Sequence, residues 1–155
     1  MSQQVAAYDA HALRRYLHEH IPLAAAMAIE VQAAHEDAVI LGAPLAPNIN
    51  HRDTAFGGSV AALAILAAWS LLHLRLRAAG ITNRLVIQRS AVDYDLPIAA
   101  AFSARATLAD RGSWEPFTRL LQRRGKARIA VLATLGYEGR IAARFAGDFV
   151  ALAGS

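Results

Sequence analysis

The chain contains no cysteine. This excludes a cysteine nucleophile, a thiolate zinc site, a disulfide scaffold and an iron–sulfur cluster. Lysine is almost missing as well, since Lys126 is the only one and the rest of the positive charge is arginine. Aromatic residues make up only 7% of the chain and charged residues 18%. Acidic residues are absent from Gly57 through Gly80. Chemistry must therefore come from Asn, His, Asp, Ser or Thr side chains and from backbone groups. The arginines are scattered, with no reader motif and no aromatic stacking platform, so no nucleic-acid partner is expected. A net charge of +4 still suits an anionic partner, such as a phosphate-bearing cofactor or an acidic carrier protein.

What is present fits one domain spanning residues 1–155, with 55% hydrophobic residues. A chain of this size typically buries about 70% of its unfolded surface, enough to need no staple. The 6 histidines show no metal-ligand spacing, and no metal is predicted. Met1 to Tyr8 lacks a charged segment leading into an apolar stretch, so no secretion signal is read and a cytoplasmic protein is expected. The apolar run Val60 to Leu74 falls short of the roughly 20 residues of a membrane span and is closed by Arg75 and Arg77. It reads as a buried core helix.

Periodicity predicts a covering helix from Asp9 to His20, with Asp9 as N-cap, Leu13, Tyr16 and Leu17 on one face and Pro22 as the stop. Met27–Ala34 and Ala38–Ala43 read as a hairpin about His35-Glu36-Asp37, ended by Pro44 and Pro47. Residues 47–58 (PNINHRDTAFGG) form a polar loop before the most apolar segment, a helix from Gly57 to about Ala79. Four strands follow, at Leu85–Asp95, Ala99–Leu108, Ala127–Glu138 and Ile141–Val150. A short helix using Phe117, Leu120 and Leu121 and ending at Gly125 lies between the second and third of these, and Gly139 marks a tight hairpin between the last two. A helix apolar around most of its circumference must be surrounded. An antiparallel sheet wrapped around it, the α+β hotdog fold, meets that need.

The segments APLAPNINHRDTAFGGSVAALAILAAWSLLHLRL, VIQRSAVDYDLPI, RRGKARIAV and RFAGDFVAL resemble the "putative thioesterase" family of hotdog proteins, a domain also found fused behind an acetyltransferase domain. The likeness runs from about Leu13 to Leu152. Its most specific part is Asn48-x-Asn50 followed by Thr54-Ala55-Phe56-Gly57-Gly58-Ser59 at the start of the long helix. The resemblance implies hydrolysis of acyl-CoA or acyl-carrier-protein thioesters, at a site between the subunits of a homodimer or dimer of dimers. No cofactor is implied beyond the CoA or phosphopantetheine of the substrate itself.

Thioester hydrolysis needs a delivered water and a positive dipole for the carbonyl oxygen as it gains charge. The first amides of a helix have no partner inside it and supply such a dipole. Glycines at 57 and 58 let a carbonyl approach without a Cβ in the way, or merely let the helix pack closely on a strand. In the related branch with His-Gly-Gly at the helix start, an Asn at the separation of Asn50 helps hold the water or the thioester. The resemblance carries that role to Asn50, with an Asx-turn as the plainer alternative. Asn48 reads as turn-forming. The related branch also places a carboxylate eight residues after the first glycine, where this chain has Ile65, and Phe56 replaces the histidine. A base must then come from the loop, from a strand of either subunit, or not exist.

His51 and Asp53 are the nearest candidates, with solvated loop residues and helix capping as their plain readings. Thr54, Phe56 and Ser59 border the glycine pair and, with Asn48, are candidate substrate contacts. On the first strand after the helix, alternation places Asp93 and Asp95 on one face and Ser90 and Tyr94 on the other, where the latter two make core-edge hydrogen bonds or touch substrate. His73 reads as a core or dimer residue, and Trp69, Leu66 and Phe56 as core or as the lining of an acyl channel. Arg124 and Lys126, within a basic run, form a dock for CoA phosphates or an acidic carrier, or a solvated face. Two further functions remain open: a non-hydrolytic acyl-thioester or carrier-protein binding module, and a hydroxyacyl-thioester dehydratase.

Overall fold

The computed structural model describes residues 7–154. Helix α1 spans Ala10–His20 and α2 Pro22–Ala26; strands β1 (Glu30–Ala34) and β2 (Val39–Ala43) follow, then α3 (Gly57–Ala78) and β3 (Asn83–Tyr94). The chain continues through β4 (Phe102–Leu108), α4 (Trp114–Arg124), β5 (Lys126–Tyr137) and β6 (Arg140–Ala153). All six strands form one antiparallel sheet in the order β1-β2-β4-β5-β6-β3. It curls around α3, as expected for the hotdog fold.

The local causes are readable in most elements. Asp9 caps α1 by accepting from the Ala12 amide at 3.1 Å. Pro22 ends α1 but also opens α2, which the hydrophobic pattern did not reveal. Proline is favoured at the first helical position, and Ala24, Ala25 and Ala26 are strong helix formers. Residues Met27 to Ile29, expected in a strand, leave this helix instead, through Ala28 at φ +57°. Strand β1 therefore starts only at Glu30. Likewise 99–101 stay outside β4, while β6 continues past Val150 to Ala153. The β5–β6 hairpin turns on Glu138 and Gly139, both left-handed, as a two-residue I′ turn requires.

The core forms where the inward faces meet α3. On β5, Ala127, Ile129, Val131, Ala133 and Leu135 are buried while the residues between them are exposed. They converge with Leu41, Phe149 and the helix residues Leu63, Leu71 and Leu72. Truncating Phe149, which is fully buried, would cost about 3–5 kcal/mol. At the other end of the sheet order, β3 is an edge strand, and the sheet stops short of closing over α3. Ala62, Ile65, Trp69 and His73 consequently form a half-buried strip along that side of the helix. Helix α4 buries Phe117 and Leu121 but leaves Leu120 exposed, contrary to the expectation from spacing. Gly125 at φ +73° ends α4, and Arg75 lies over the Trp114 ring at 4.4 Å, tying α4 to α3.

Candidate active site

The polar loop before α3 is organised by two asparagines. Asn48 is buried; its side-chain amide donates to the carbonyls of Met27 (3.0 Å) and Pro44 (2.8 Å). Its own carbonyl accepts from the Phe56 amide at 2.7 Å, so one residue clamps both ends of the loop. Asn50 shapes the tip. Its Oδ1 accepts from the amides of Arg52 (2.8 Å) and Thr54 (3.1 Å), while Nδ2 donates to Thr54 Oγ1 at 2.9 Å and to the Ala55 carbonyl at 3.4 Å. This is the Asx-type turn. The Asn50 side chain and the Thr54 hydroxyl thus bond to each other and hold the loop.

His51 and Asp53 stand exposed at the tip. Among the described residues they form no ion pair with each other. Asp53 adopts φ +63°, a conformation that Asp tolerates better than most residues. It does not cap α3. The cap position is Phe56, in extended conformation and without a side-chain bond to the helix, and no acid lies in the first turn.

The first turn leaves two donors free. Phe56 O accepts from the amides of Ser59 (2.9 Å) and Val60 (3.1 Å), which uses those two donors. Among the described residues, nothing accepts from the amides of Gly57 and Gly58. These N–H groups carry the positive end of the α3 dipole. A Cβ on Gly57 would lie 3.6 Å from the Tyr94 ring, an ordinary contact, while one on Gly58 would meet the exposed Phe56 ring at 2.4 Å. Tyr94 donates its hydroxyl to Gly57 O at 3.0 Å.

Beside this junction lies a cavity of about 240 Å³ whose lining includes Ala55, Val60, Tyr94, Asp95, Leu96 and Ile98. The glycines are not in its wall, but Ala55, Val60 and Tyr94, which flank or touch them, are. Asp95 lines this cavity, and its carboxylate pairs with Arg144 at 3.3 Å.

The structure therefore brings Asn48, Asn50, Thr54, Phe56, Gly57, Gly58, Ser59 and Tyr94 to one end of α3. Ser90 points to the same side of the sheet as Tyr94, four residues away along β3. Arg124 and Lys126 are not at this end. Lys126 pairs with Leu152, which pairs with Arg84. Arg84 is ten residues from Tyr94, about 33 Å along the strand. Spacing within the sequence carries no information on which ends of strands coincide. It also hid a second cluster, the rings of His20, Tyr16, His73 and Trp69. Ring centroids are 4.1 Å apart for Tyr16 and His20, 4.8 Å for Tyr16 and His73, 4.6 Å for Trp69 and His73 and 6.0 Å for Tyr16 and Trp69. The i, i+4 spacings of Tyr16 with His20 and of Trp69 with His73 were the available signal.

Among the described residues no group of three or more metal-ligating side chains converges. The family profile described as "Putative thioesterase (yiiD_Cterm)" matches residues 10–153. Solved structures with the same architecture include a protein of unknown function from Chlorobaculum tepidum, at 28% identity and TM-score 0.87 over 94% of each chain. A "putative thioesterase" from Shewanella oneidensis is 26% identical, with TM-score 0.83 over 92% of this chain and 96% of that one. A protein of unknown function from Pseudomonas aeruginosa, described as a probable thioesterase, is 19% identical with TM-score 0.83, over 97% of this chain and 100% of that one, and speaks to fold alone.

Proposed function

Because the chain belongs to the "putative thioesterase" family of hotdog proteins, we propose that it hydrolyses acyl thioesters of CoA or of an acyl carrier protein at the start of α3. The observation that carries this reading is the pair of unaccepted amides at Gly57 and Gly58. In the reaction, water adds to the thioester carbonyl carbon, the oxygen gains negative charge, and the thiolate leaves with a proton to give acid and thiol. An oxyanion at the glycine pair receives donors fixed by the helix, and one such donor is typically worth about 3 kcal/mol in rate. Tyr94 buttresses the first turn, and the short cavity beyond it suits the acyl group.

Water is activated by His51 or Asp53, whose exposure at the loop tip leaves them open to solvent. Asn50 acts through the loop: with its four hydrogen bonds made to its own neighbours, it positions Thr54 and the residues leading to Gly57. The unpaired edge of β3, with Val86, Ile87 and Tyr94 exposed, supports a homodimer joined edge to edge.

Thiol release from a panel of CoA thioesters of increasing acyl length tests the proposal. A fall in turnover of at least tenfold on Gly57→Ala is the expected result. The engagement of Asn50 and the apolar Ile65 favour a second reading, a non-hydrolytic acyl-thioester binder. Acyl-CoA bound without thiol release would establish that reading instead, and loss of water from a hydroxyacyl thioester with the thioester intact would indicate dehydration.

A further inference from the structure

The edge strand β3 carries a bulge. Its pairing with β6 slips between Ile87 and Arg89, which leaves Gln88 as the extra residue. Before the bulge the odd-numbered side chains face inward, since Leu85 and Ile87 pair with the fully buried Ala151 and Phe149. After it the even-numbered ones do, since Val92 and Tyr94 pair with the buried Phe145 and Ala143. Gln88 faces outward with Arg89, and its Oε1 accepts from Arg128 at 3.4 Å. This change of phase decides how β3 can pair with a second copy of itself. In a regular strand of 12 residues the first and last face opposite sides, so end-to-end antiparallel pairing would set inward side chains against outward ones.

The bulge removes that conflict. With Asn83 opposite the partner's Tyr94, every pair along the strand lies on one face. Leu85 meets the partner's Val92 on the inner face, while Arg84 meets the partner's Asp93 and Val86 the partner's Ala91 on the outer one. A slide of one or two residues either way sets Gln88 or Arg89 against an inward residue. Neither Arg84 nor Asp93 is in an ion pair among the described residues, and in this register they meet as opposite charges twice about the two-fold axis. The exposed Val86, Ile87 and Tyr94 are then covered. Resting on the hydrolytic reading for the site, we propose that two copies pair β3 in this register and that Asn83 of each completes the other's Gly57 and Gly58 site. Cβ atoms of directly opposite residues are about 4.5–5.5 Å apart, so the partner's Asn83 lies against Tyr94, which holds Gly57. Asn83 Nδ2 donates to Ile81 O at 2.9 Å, leaving Oδ1 to accept from water or substrate.

With no native cysteine, paired cysteine variants read the register directly. Val86→Cys with Ala91→Cys, and Arg84→Cys with Asp93→Cys, should each give disulfide-linked dimers on mild oxidation. Within one chain positions 86 and 91 are about 13 Å apart, beyond disulfide reach. The slid combinations, Val86→Cys with Asp93→Cys and Arg84→Cys with Ala91→Cys, should stay unlinked. Links from the slid combinations instead, or a protein that sediments as a monomer, would overturn the inference. The shared site is read by complementation. Asn83→Ala and Gly57→Ala should each lower thiol release at least tenfold, while hybrid dimers of the two, isolated through two affinity tags, should regain activity. Such a hybrid holds one site with both residues intact only if Asn83 acts across the interface. Inactive hybrids, or wild-type rates from Asn83→Ala, would overturn the sharing. Cross-linking is read without turnover. Dimers linked in this register but releasing no thiol would sink the thioesterase reading and keep the pairing; thiol release without those links would do the reverse.

Discussion

The Tyr94 hydroxyl donates to the Gly57 carbonyl over 3.0 Å, joining the last residue of β3 to the first residue of α3. The two are far apart in sequence, and the bond fixes the direction of the helix's first turn against the edge of the sheet. Gly57 O can also serve the helix ladder, because a carbonyl has two lone pairs. Removing only the hydroxyl separates this role from packing. Tyr94→Phe should cost about 0.5–1.5 kcal/mol, at the low end because Tyr94 is exposed. Thiol-release rates should fall several-fold. Unchanged rates would remove the hydroxyl from the positioning of the amides.

Gly57 and Gly58 separate fold from chemistry. A methyl group at 57 would meet the Tyr94 ring at an ordinary 3.6 Å, so Gly57→Ala should leave Tm level or slightly raised, as alanine favours helix. Hydrolysis should nevertheless fall at least tenfold, because the methyl occupies the approach to the amide. A stable variant with full activity would show that the carbonyl does not bind there.

The loop variants should differ in kind. Asn50→Ala removes the four side-chain hydrogen bonds that shape the turn, and should lower both Tm and turnover, the latter at least tenfold. Asp53→Asn keeps a residue that tolerates φ +63° and removes only the charge. It should hold Tm and reduce turnover at least tenfold; wild-type rates from Asp53→Asn and from a His51→Ala partner variant would exclude both as bases.

His73 makes stability depend on pH. Its pKa is lowered by burial, so below 6.5 the unfolded chain takes up the proton more readily than the folded one. The stabilisation is complete above 6.5 and declines as pH falls through 6.5 towards the lower folded-state value. Thermal melts at pH 7.5 and 5.5 should show a smaller drop in His73→Phe than in the wild type. An identical drop in both would assign the pH dependence elsewhere.

The sequence by itself determined the elements and the identity of the glycine motif. Alternation along β5, the cap at Asp9, the turn at Gly139 and the stop at Gly125 are local effects, set by residues within a few positions of one another. The long apolar helix then required a sheet around it, because so much greasy surface cannot face water. Local signals were weaker where two structures compete for the same residues, as at Pro22–Ala26, where an alanine run folds as helix before the strand begins. Only the tertiary structure decided what each polar group meets. It spent Asn50 on its own loop, set Tyr94 against Gly57, and sent Arg124 and Lys126 to the opposite end of the sheet. It also gathered Tyr16, Trp69 and His73 from two helices into one cluster of rings. Such meetings depend on strand order and on which edge is left open, and these follow from how the whole core closes rather than from any neighbouring residues.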